Sequence, residues 1–158
     1  MEAPNLNHLW ANLLVEELIR NGIRRFVIAP GSRSTPLAVQ AFRNGKAETV
    51  VHFDERGAAF FALGSGISGN PAAVICTSGT AAANCWPAVA EAFYSGIPLL
   101  VLSADRPPEL QACGANQTMD QVNLFGDHVR AHLELPCPDT LIPPESILTG
   151  IDAVIAAG

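Results

Sequence analysis

The chain has 158 residues, of which 49% are hydrophobic and 15% are charged, and its formal net charge is −6. This length predicts one domain with its own buried core, and nine scattered basic residues exclude the basic patch that nucleic-acid binding requires. No apolar run approaches the roughly 18 residues of a membrane span, and the first residues lack the basic and apolar regions of a signal peptide.

Helix and strand patterns alternate along the chain. Apolar residues at helical spacing over residues 6–19, followed by Gly22, predict a first helix. Short continuous apolar runs predict strands buried on both faces, at residues 24–30, 48–53, 71–77, 98–104 and 128–135. Further helices are predicted at residues 34–42, 54–64, 79–96, 118–125 and 144–158.

This alternation indicates βαβ units and therefore an α/β fold with three layers, doubly wound, with a mostly parallel sheet of about six strands and helices on both faces. No linker interrupts it, so residues 1–158 are interpreted as a single α/β domain. The last helix has no partner after it, and the chain is more apolar than a free-standing surface needs. The unpartnered helix predicts a fragment of a longer multidomain protein, and the apolar excess predicts a face covered by another subunit, and thus at least a dimer.

The chain has four cysteines and no C-x-x-C pair. We expect them to be buried, reduced thiols. Such thiols favour a reducing compartment and therefore a cytoplasmic location. The four are Cys76, Cys85, Cys113 and Cys137.

Four chemically distinctive segments each follow a predicted strand. They lie at residues 29–34, 54–56, 77–80 and 104–109, and they hold small residues, hydroxyls, arginines and one conspicuous carboxylate, Glu55. Ligands of open parallel sheets bind beyond the carboxyl ends of the strands. We therefore expect the four segments to meet along one edge of the sheet and to form a binding site there.

Glu55 stands beside an apolar run that contains Phe53, Phe60 and Phe61. An exposed acid in the first turn of a helix would favour the helix dipole, but it would not need these neighbours, so a functional role is the preferred interpretation. Asp54 is predicted to cap the same helix. Simpler structural interpretations stay open for other segments: Ser32, Ser34 and Thr35 as helix caps, residues 77–80 as a plain turn, and Arg33 and Arg106 as surface ion pairs.

Two motif-like patterns are given little weight. Residues 64–69 match G-x-G-x-x-G, but they follow a helix and precede a strand, which is the reverse of the dinucleotide-binding context. His128 and His132 are four apart, as zinc ligands on a helix can be, but the segment is predicted to be a strand and no cluster completes a site. A G-x-S-x-G nucleophile motif is absent from the sequence.

Five segments between Ala29 and Gln121 together carry a specific resemblance. In order, they are APGSRSTPL, HFDERGAAFFALG, TSGTAAAN, ADRPPEL and GANQTMDQ. This series resembles the N-terminal part of the 2-succinyl-5-enolpyruvyl-6-hydroxy-3-cyclohexene-1-carboxylate synthase family, thiamine-diphosphate enzymes of menaquinone and phylloquinone synthesis. The likeness spans the chain but only about the first quarter to third of a family member.

The resemblance implies a reaction and a place in the enzyme. Such enzymes decarboxylate 2-oxoglutarate on thiamine diphosphate and add the resulting carbanion to isochorismate. The cofactor lies between two domains, usually from different subunits, and this chain would be the pyrimidine-side domain with the thiamine-diphosphate-binding fold. Its expected partners are the missing C-terminal domains, a homodimer or higher homo-oligomer, and the two substrates.

The resemblance also assigns residues one at a time. Glu55 matches the glutamate that hydrogen-bonds the pyrimidine nitrogen and favours the imino tautomer, whose nitrogen takes the proton from the thiazolium carbon. The pyrimidine pocket is implied to include Pro30, Gly31, Thr77 and Gly79. The residues implied for substrate binding are Ser32, Arg33, Arg106, Asn116 and Gln117, since guanidinium groups suit carboxylates.

The chain departs from these enzymes at the metal site. Their Gly-Asp-Gly signature, followed about thirty residues later by Asn, is missing, and only Gly126–His128 comes near. The chain is therefore expected to hold no metal, with Mg²⁺ bound elsewhere in the full-length enzyme, and to be inactive by itself. Two alternatives stay open: another thiamine-diphosphate 2-oxoacid decarboxylase or acetolactate-type synthase, or a non-catalytic flavodoxin-like binding module.

Overall fold

The computed structural model describes residues 3–158, and this part of the chain forms six α-helices and four β-strands. In chain order they are α1 (Leu6–Arg20), β1 (Arg25–Ile28), α2 (Thr35–Arg43), β2 (Glu48–Val51), α3 (Glu55–Ile67), β3 (Ala72–Cys76), α4 (Thr80–Asn84), α5 (Trp86–Ser95), β4 (Leu99–Ser103) and α6 (Pro144–Ala157). Two 3₁₀ turns lie at Pro108–Leu110 and Gly126–His128.

The four strands form one parallel sheet in the order β2-β1-β3-β4. Ile28 of β1 pairs with Val51 on one side and with Ile75 on the other. From β1 the chain first adds β2 on one side, and then crosses over to add β3 and β4 on the other side. The direction of winding therefore reverses between the two central strands, β1 and β3. The predicted doubly wound α/β fold is confirmed.

Two apolar clusters cover the two faces of the sheet. All five residues of β3 are buried, and their side chains alternate between the two clusters. Val74 and Cys76 belong to the cluster with α3, α4 and α5. Ala73 and Ile75 belong to the cluster with α1, α2 and α6. A strand with apolar side chains on both faces is the pattern expected for the centre of a parallel sheet. The predicted three layers are therefore confirmed: one layer of helices packs on each face of the sheet.

The predicted number of strands is wrong, because residues 3–158 hold four strands rather than about six. Residues 128–135 were expected to pair as a strand but have no regular structure apart from the end of a 3₁₀ turn. Val129 packs against the α3 side of the sheet and Leu135 against the α1 side. The segment therefore uses its apolar residues to cross from one layer to the other.

The helix predicted at residues 118–125 is also wrong, since residues 118–121 have no regular structure and residues 122–125 form a turn. Asn123 lies in the left-handed region with φ of 51°, which interrupts a right-handed helix. Gln121, just before this turn, bonds through its side chain to the segments that follow β3 and β4. Tertiary hydrogen bonds thus replace the helical ones.

The start of α3 is fixed by two side chains. Asp54 is the N-cap as predicted: its Oδ1 accepts from the backbone N–H of Gly57 at 2.9 Å. This hydrogen bond holds the pKa of Asp54 below its ordinary value of 3.8. On the other side, the imidazole of His52 fills the space above Gly57, where a Cβ would lie 2.3 Å from the ring.

The two motif-like patterns have structural roles. Residues 64–67 form the last turn of α3 instead of following it, and residues 68–69 end the helix, so the pattern does not open a helix. His128 packs edge-on against Trp86 with ring centres 4.7 Å apart.

Within residues 3–158, no three His, Cys, Asp or Glu side chains are grouped so that they could hold a metal ion. No helix in this range is long and apolar enough to cross a membrane.

The tight contact between α3 and the residues before β4 predicts a steric effect. A Cβ on Gly66 would lie 2.7 Å from the carbonyl oxygen of Pro98, so we expect Gly66→Ala to lower the free energy of unfolding by about 1–3 kcal/mol. Gly64, on the same helix, has no heavy atom within 4 Å of such a Cβ. Gly64→Ala should therefore raise stability by about 0.5–1 kcal/mol. Urea unfolding measures both, and equal effects would contradict this packing.

The Asp54 cap predicts a pH-dependent effect on stability. Because the folded pKa is lowered, the contribution of the carboxylate is complete above its ordinary value and is lost as the pH falls through the folded value. Asp54→Ala should lower the urea midpoint at pH 7, and the difference from the wild type should shrink in strong acid. Asp54→Ser, which keeps an oxygen cap, should lose less at pH 7. A difference that does not change with pH would refute a charged cap.

Candidate functional site

The carboxyl ends of the four strands lie at one edge of the sheet, and the ladder continues one residue beyond three of them. Ala29 donates to the carbonyl of Ile75 at 2.8 Å, and His52 donates to that of Ile28 at 2.9 Å. Ala104 donates to the carbonyl of Cys76 at 3.0 Å. The four segments singled out in the sequence therefore begin side by side, as predicted.

Gly31 and Thr77 touch at the point where the winding of the sheet reverses. A Cβ on Gly31 would lie 2.4 Å from the Cβ of Thr77, a residue that is only 6% exposed. The carbonyl of Gly31 accepts from the hydroxyls of Ser34 and Thr35. These hydroxyls thus hold the loop after β1 in place, and the Ser34 side chain does not cap α2.

The loop after β3 is bound to the segment at residues 117–121. Gly79 has φ of 76°, and its N–H donates to Oε1 of Gln121 at 2.7 Å. The same glutamine donates to the carbonyl of Ala104 at 3.2 Å. The buried hydroxyl of Ser78 donates to the carbonyl of Gln117 at 2.8 Å, and the Gln117 amide donates back to Ser78 at 3.3 Å. Residues 77–80 are therefore more than a plain turn.

An open cleft of about 480 Å³ lies between α3, α4 and this segment. Its volume is within the range of small-molecule sites. Glu55 contributes the carboxylate, Gln117 contributes an amide, and α4 contributes the remaining wall. The lining residues are Glu55, Thr80, Ala81, Ala83, Asn84 and Gln117.

Glu55 is half-buried at the first position of α3. Its Oε2 accepts from the side-chain amide of Asn84 at 3.2 Å. The same amide nitrogen lies 3.4 Å from Oδ2 of Asp54. Within residues 3–158, Oε1 of Glu55 accepts no hydrogen bond, so this oxygen is free to meet a ligand in the cleft.

The surroundings of Glu55 are less apolar than the neighbouring run in the sequence suggested. Phe53 is 95% exposed, and Phe60 and Phe61 are 43% and 46% exposed. The helical period of α3 explains this, because Ala58, Ala59 and Ala62 occupy the face against the sheet. The phenylalanines lie on the outer surface, and Glu55 borders a half-open cleft rather than a closed apolar one.

Two of the four cysteines are buried as predicted, and two are not. Cys76 and Cys85 are fully buried free thiols, whereas Cys113 and Cys137 are exposed. Contact with Cys85, together with burial, raises the pKa of the Cys76 thiol, and the Glu55 charge adds to this. Cys76 therefore stays protonated and acts as a core residue.

The residues expected to bind substrate do not line the cleft, apart from Gln117. Ser32, Arg33 and Asn116 are exposed on the loops around it. Neither Arg33 nor Arg106 forms an ion pair with another residue of the described chain, so these arginines are not surface ion pairs within it. The Nε of Arg106 is buried and has no hydrogen-bond partner in residues 3–158.

The structure adds two residues that the sequence pattern did not identify. Asn84 contacts Glu55 across 29 positions, and Gln121 contacts Gly79 across 42. Both are amides, which are ordinary surface residues in a sequence, and only the packing of α4 and of the later turns brings them to the edge. The position of Asn84 at the end of TSGTAAAN was visible, but its partner was not.

The comparisons with known proteins give one consistent family. A family profile described as "Thiamine pyrophosphate enzyme, N-terminal TPP binding domain" matches residues 10–124. Proteins named 2-succinyl-5-enolpyruvyl-6-hydroxy-3-cyclohexene-1-carboxylate synthase are similar over nearly the whole chain. The one from Salinibacter ruber is 54% identical over 98% of this chain and 26% of its own length.

Two further relatives with the same name give the same result. The protein from Chlorobium phaeobacteroides is 53% identical over 98% of this chain and 27% of its own length. The protein from Prosthecochloris aestuarii is 52% identical over 99% of this chain and 27% of its own length. The chain thus spans about a quarter of the length of these curated relatives. It belongs to the family of N-terminal TPP binding domains of thiamine pyrophosphate enzymes.

Proposed function

We propose that this chain forms the pyrimidine side of the thiamine diphosphate site in a 2-succinyl-5-enolpyruvyl-6-hydroxy-3-cyclohexene-1-carboxylate synthase. The observation that carries the proposal is the Glu55 carboxylate at the cleft, with one oxygen held by Asn84 and the other free. The names of relatives at 50% identity or more support the same assignment.

The residues of the cleft fit an aminopyrimidine ring. Such a ring needs a carboxyl group at one ring nitrogen and small side chains that let it approach the backbone. Glu55 supplies the carboxyl group, and Ala81 and Ala83 supply the small wall. When bound, thiamine diphosphate supplies the carbon nucleophile and electron sink for decarboxylation and carbon–carbon bond formation.

In this proposal, each residue has a limited task. Glu55 holds a proton at the pyrimidine ring nitrogen through its free oxygen. The loops that contain Pro30, Gly31, Thr77 and Gly79 shape the pocket, because the Gly31–Thr77 contact and the Gly79–Gln121 hydrogen bond fix their backbones. Mg²⁺ and the diphosphate belong to another domain, and a homo-oligomer brings the two domains together in the cytoplasm.

The substrates proposed, 2-oxoglutarate and isochorismate, carry carboxylates, and Arg33 and Arg106 are available for them. The buried Nε of Arg106 has no partner in the described chain, and a buried donor without a partner is costly. A substrate carboxylate would satisfy it with a charge-assisted hydrogen bond. Ser32, Asn116 and Gln117 would complete this part of the site.

Two other functions have weaker support. Membership of the thiamine pyrophosphate enzyme family weighs against a non-catalytic flavodoxin-like module. Another thiamine-diphosphate decarboxylase or an acetolactate-type synthase would use the same pyrimidine site, but a monocarboxylate substrate would leave one of the two arginines without a role. A screen of acceptors with the complete enzyme separates these possibilities.

Replacement of Glu55 tests the cofactor role. In the complete enzyme, Glu55→Gln should lower kcat by about 10²–10⁴-fold, because the amide cannot transfer the proton. Glu145 is also in the first turn of a helix, α6, and is exposed. Glu145→Gln is therefore a matched control and should leave kcat unchanged. If the two variants behave alike, Glu55 acts only on the helix dipole and the proposed function fails.

Replacement of Arg106 tests the substrate role. Arg106→Ala should lower kcat/KM for isochorismate by about 10–100-fold, because it removes a hydrogen bond to a charged group and such a bond contributes a factor of this size. The Kd of thiamine diphosphate should stay unchanged. Arg24, exposed before β1, is the control, and Arg24→Ala should have no effect on either quantity. A normal kcat/KM in Arg106→Ala would remove this residue from the substrate site.

A further inference from the structure

Asn84 lies between two carboxylates, and the proposed function uses its contact with Glu55 without giving Asn84 a task of its own. It is the last residue of α4 and lines the cleft. Its side-chain nitrogen is 3.2 Å from Oε2 of Glu55 and 3.4 Å from Oδ2 of Asp54. An amide has two N–H donors, so one group can serve both acids.

The Asp54 end of this bridge is already fixed. Oδ1 of Asp54 accepts from the N–H of Gly57, and the carbonyl of Asp54 accepts from the N–H of Ala58 at 2.8 Å. The position of Asp54 relative to α3 is therefore set by the helix itself. Through Asn84, the Glu55 side chain is connected to this fixed point and to α4.

The bridge also leaves the two oxygens of Glu55 in different situations. Oε2 is engaged by Asn84, while Oε1 has no partner in residues 3–158. A glutamate side chain has three rotatable bonds, and without a partner it would populate several rotamers. An adjacent carboxylate would also repel it if no donor stood between them.

From these contacts we propose that Asn84 is a positioning residue, which holds the Glu55 carboxylate so that its free oxygen faces the pyrimidine ring. The inference rests on the proposed function and adds to it. Asn84 acts through Glu55 and does not itself touch the reacting atoms. A purely structural role, joining α3 to α4, is the competing explanation.

The test follows a proton rather than substrate turnover. The complete synthase is loaded with thiamine diphosphate, and exchange of the thiazolium C2 proton for deuterium is measured by acid quench and proton NMR. Asn84→Ala should slow the exchange by about 10-fold, because a hydrogen bond to a charged group is lost. Asn84→Asp, of the same size but without a donor, should slow it at least as much.

Two further variants separate positioning from folding. Asn84→Ser keeps one hydroxyl donor and should exchange faster than the alanine variant. Asn7, exposed on α1, is the matched control, and Asn7→Ala should exchange at the wild-type rate. In a double-mutant cycle, Asn84→Ala should cause no further loss in a Glu55→Gln background, since it acts through Glu55.

The outcomes distinguish the inference from the proposed function. If the wild type fails to bind thiamine diphosphate or exchanges no faster than free cofactor, the proposed function fails, and the inference fails with it. If the wild type exchanges rapidly and the folded Asn84→Asp variant matches it, only the inference is overturned. An equal loss in the wild-type and Glu55→Gln backgrounds also overturns it, because Asn84 would then act independently of Glu55.

Discussion

The hydrogen bond between Asn84 and Glu55 joins the two helices that form the cleft, and much of the local structure serves to keep its two ends in place. Asp54 and His52 fix the beginning of α3, and this fixes the position of the Glu55 backbone relative to the sheet. At the other end, the Gly79–Gln121 bond fixes the turn that leads into α4. A displacement of either helix would separate the amide from the acid.

Small side chains make this arrangement possible. Alanines make up half of the buried residues of α3 and most of α4. Gly66 brings α3 against the backbone of Pro98, and Gly31 allows Thr77 to fill the point where the winding reverses. Because interiors are closely packed, each of these close contacts leaves little freedom to the loops that surround the cleft.

The sequence predicted what depends on local pattern and on the parallel order of the strands. The α/β class, the four strands between residues 24 and 104, the Asp54 cap and the shared edge were all accessible, because apolar runs and cap residues act over a few positions. Residues 118–135 were not, because Gln121, Val129 and Leu135 are held by contacts distant in the chain. The orientation of the phenylalanines near Glu55 depends on the helical face and was also missed.

The site shows the same division between local and tertiary information. Glu55 could be found from its position after a strand, whereas the amide that bonds to it lies on a different helix.

The role of Glu55 is tested most directly by a crystal structure of the complete protein with thiamine diphosphate bound. We expect a hydrogen bond of about 2.7 Å between the free Glu55 oxygen and a pyrimidine ring nitrogen, with Asn84 still bonded to the other oxygen. A pyrimidine ring bound away from this cleft, with Glu55 in bulk solvent, would contradict it.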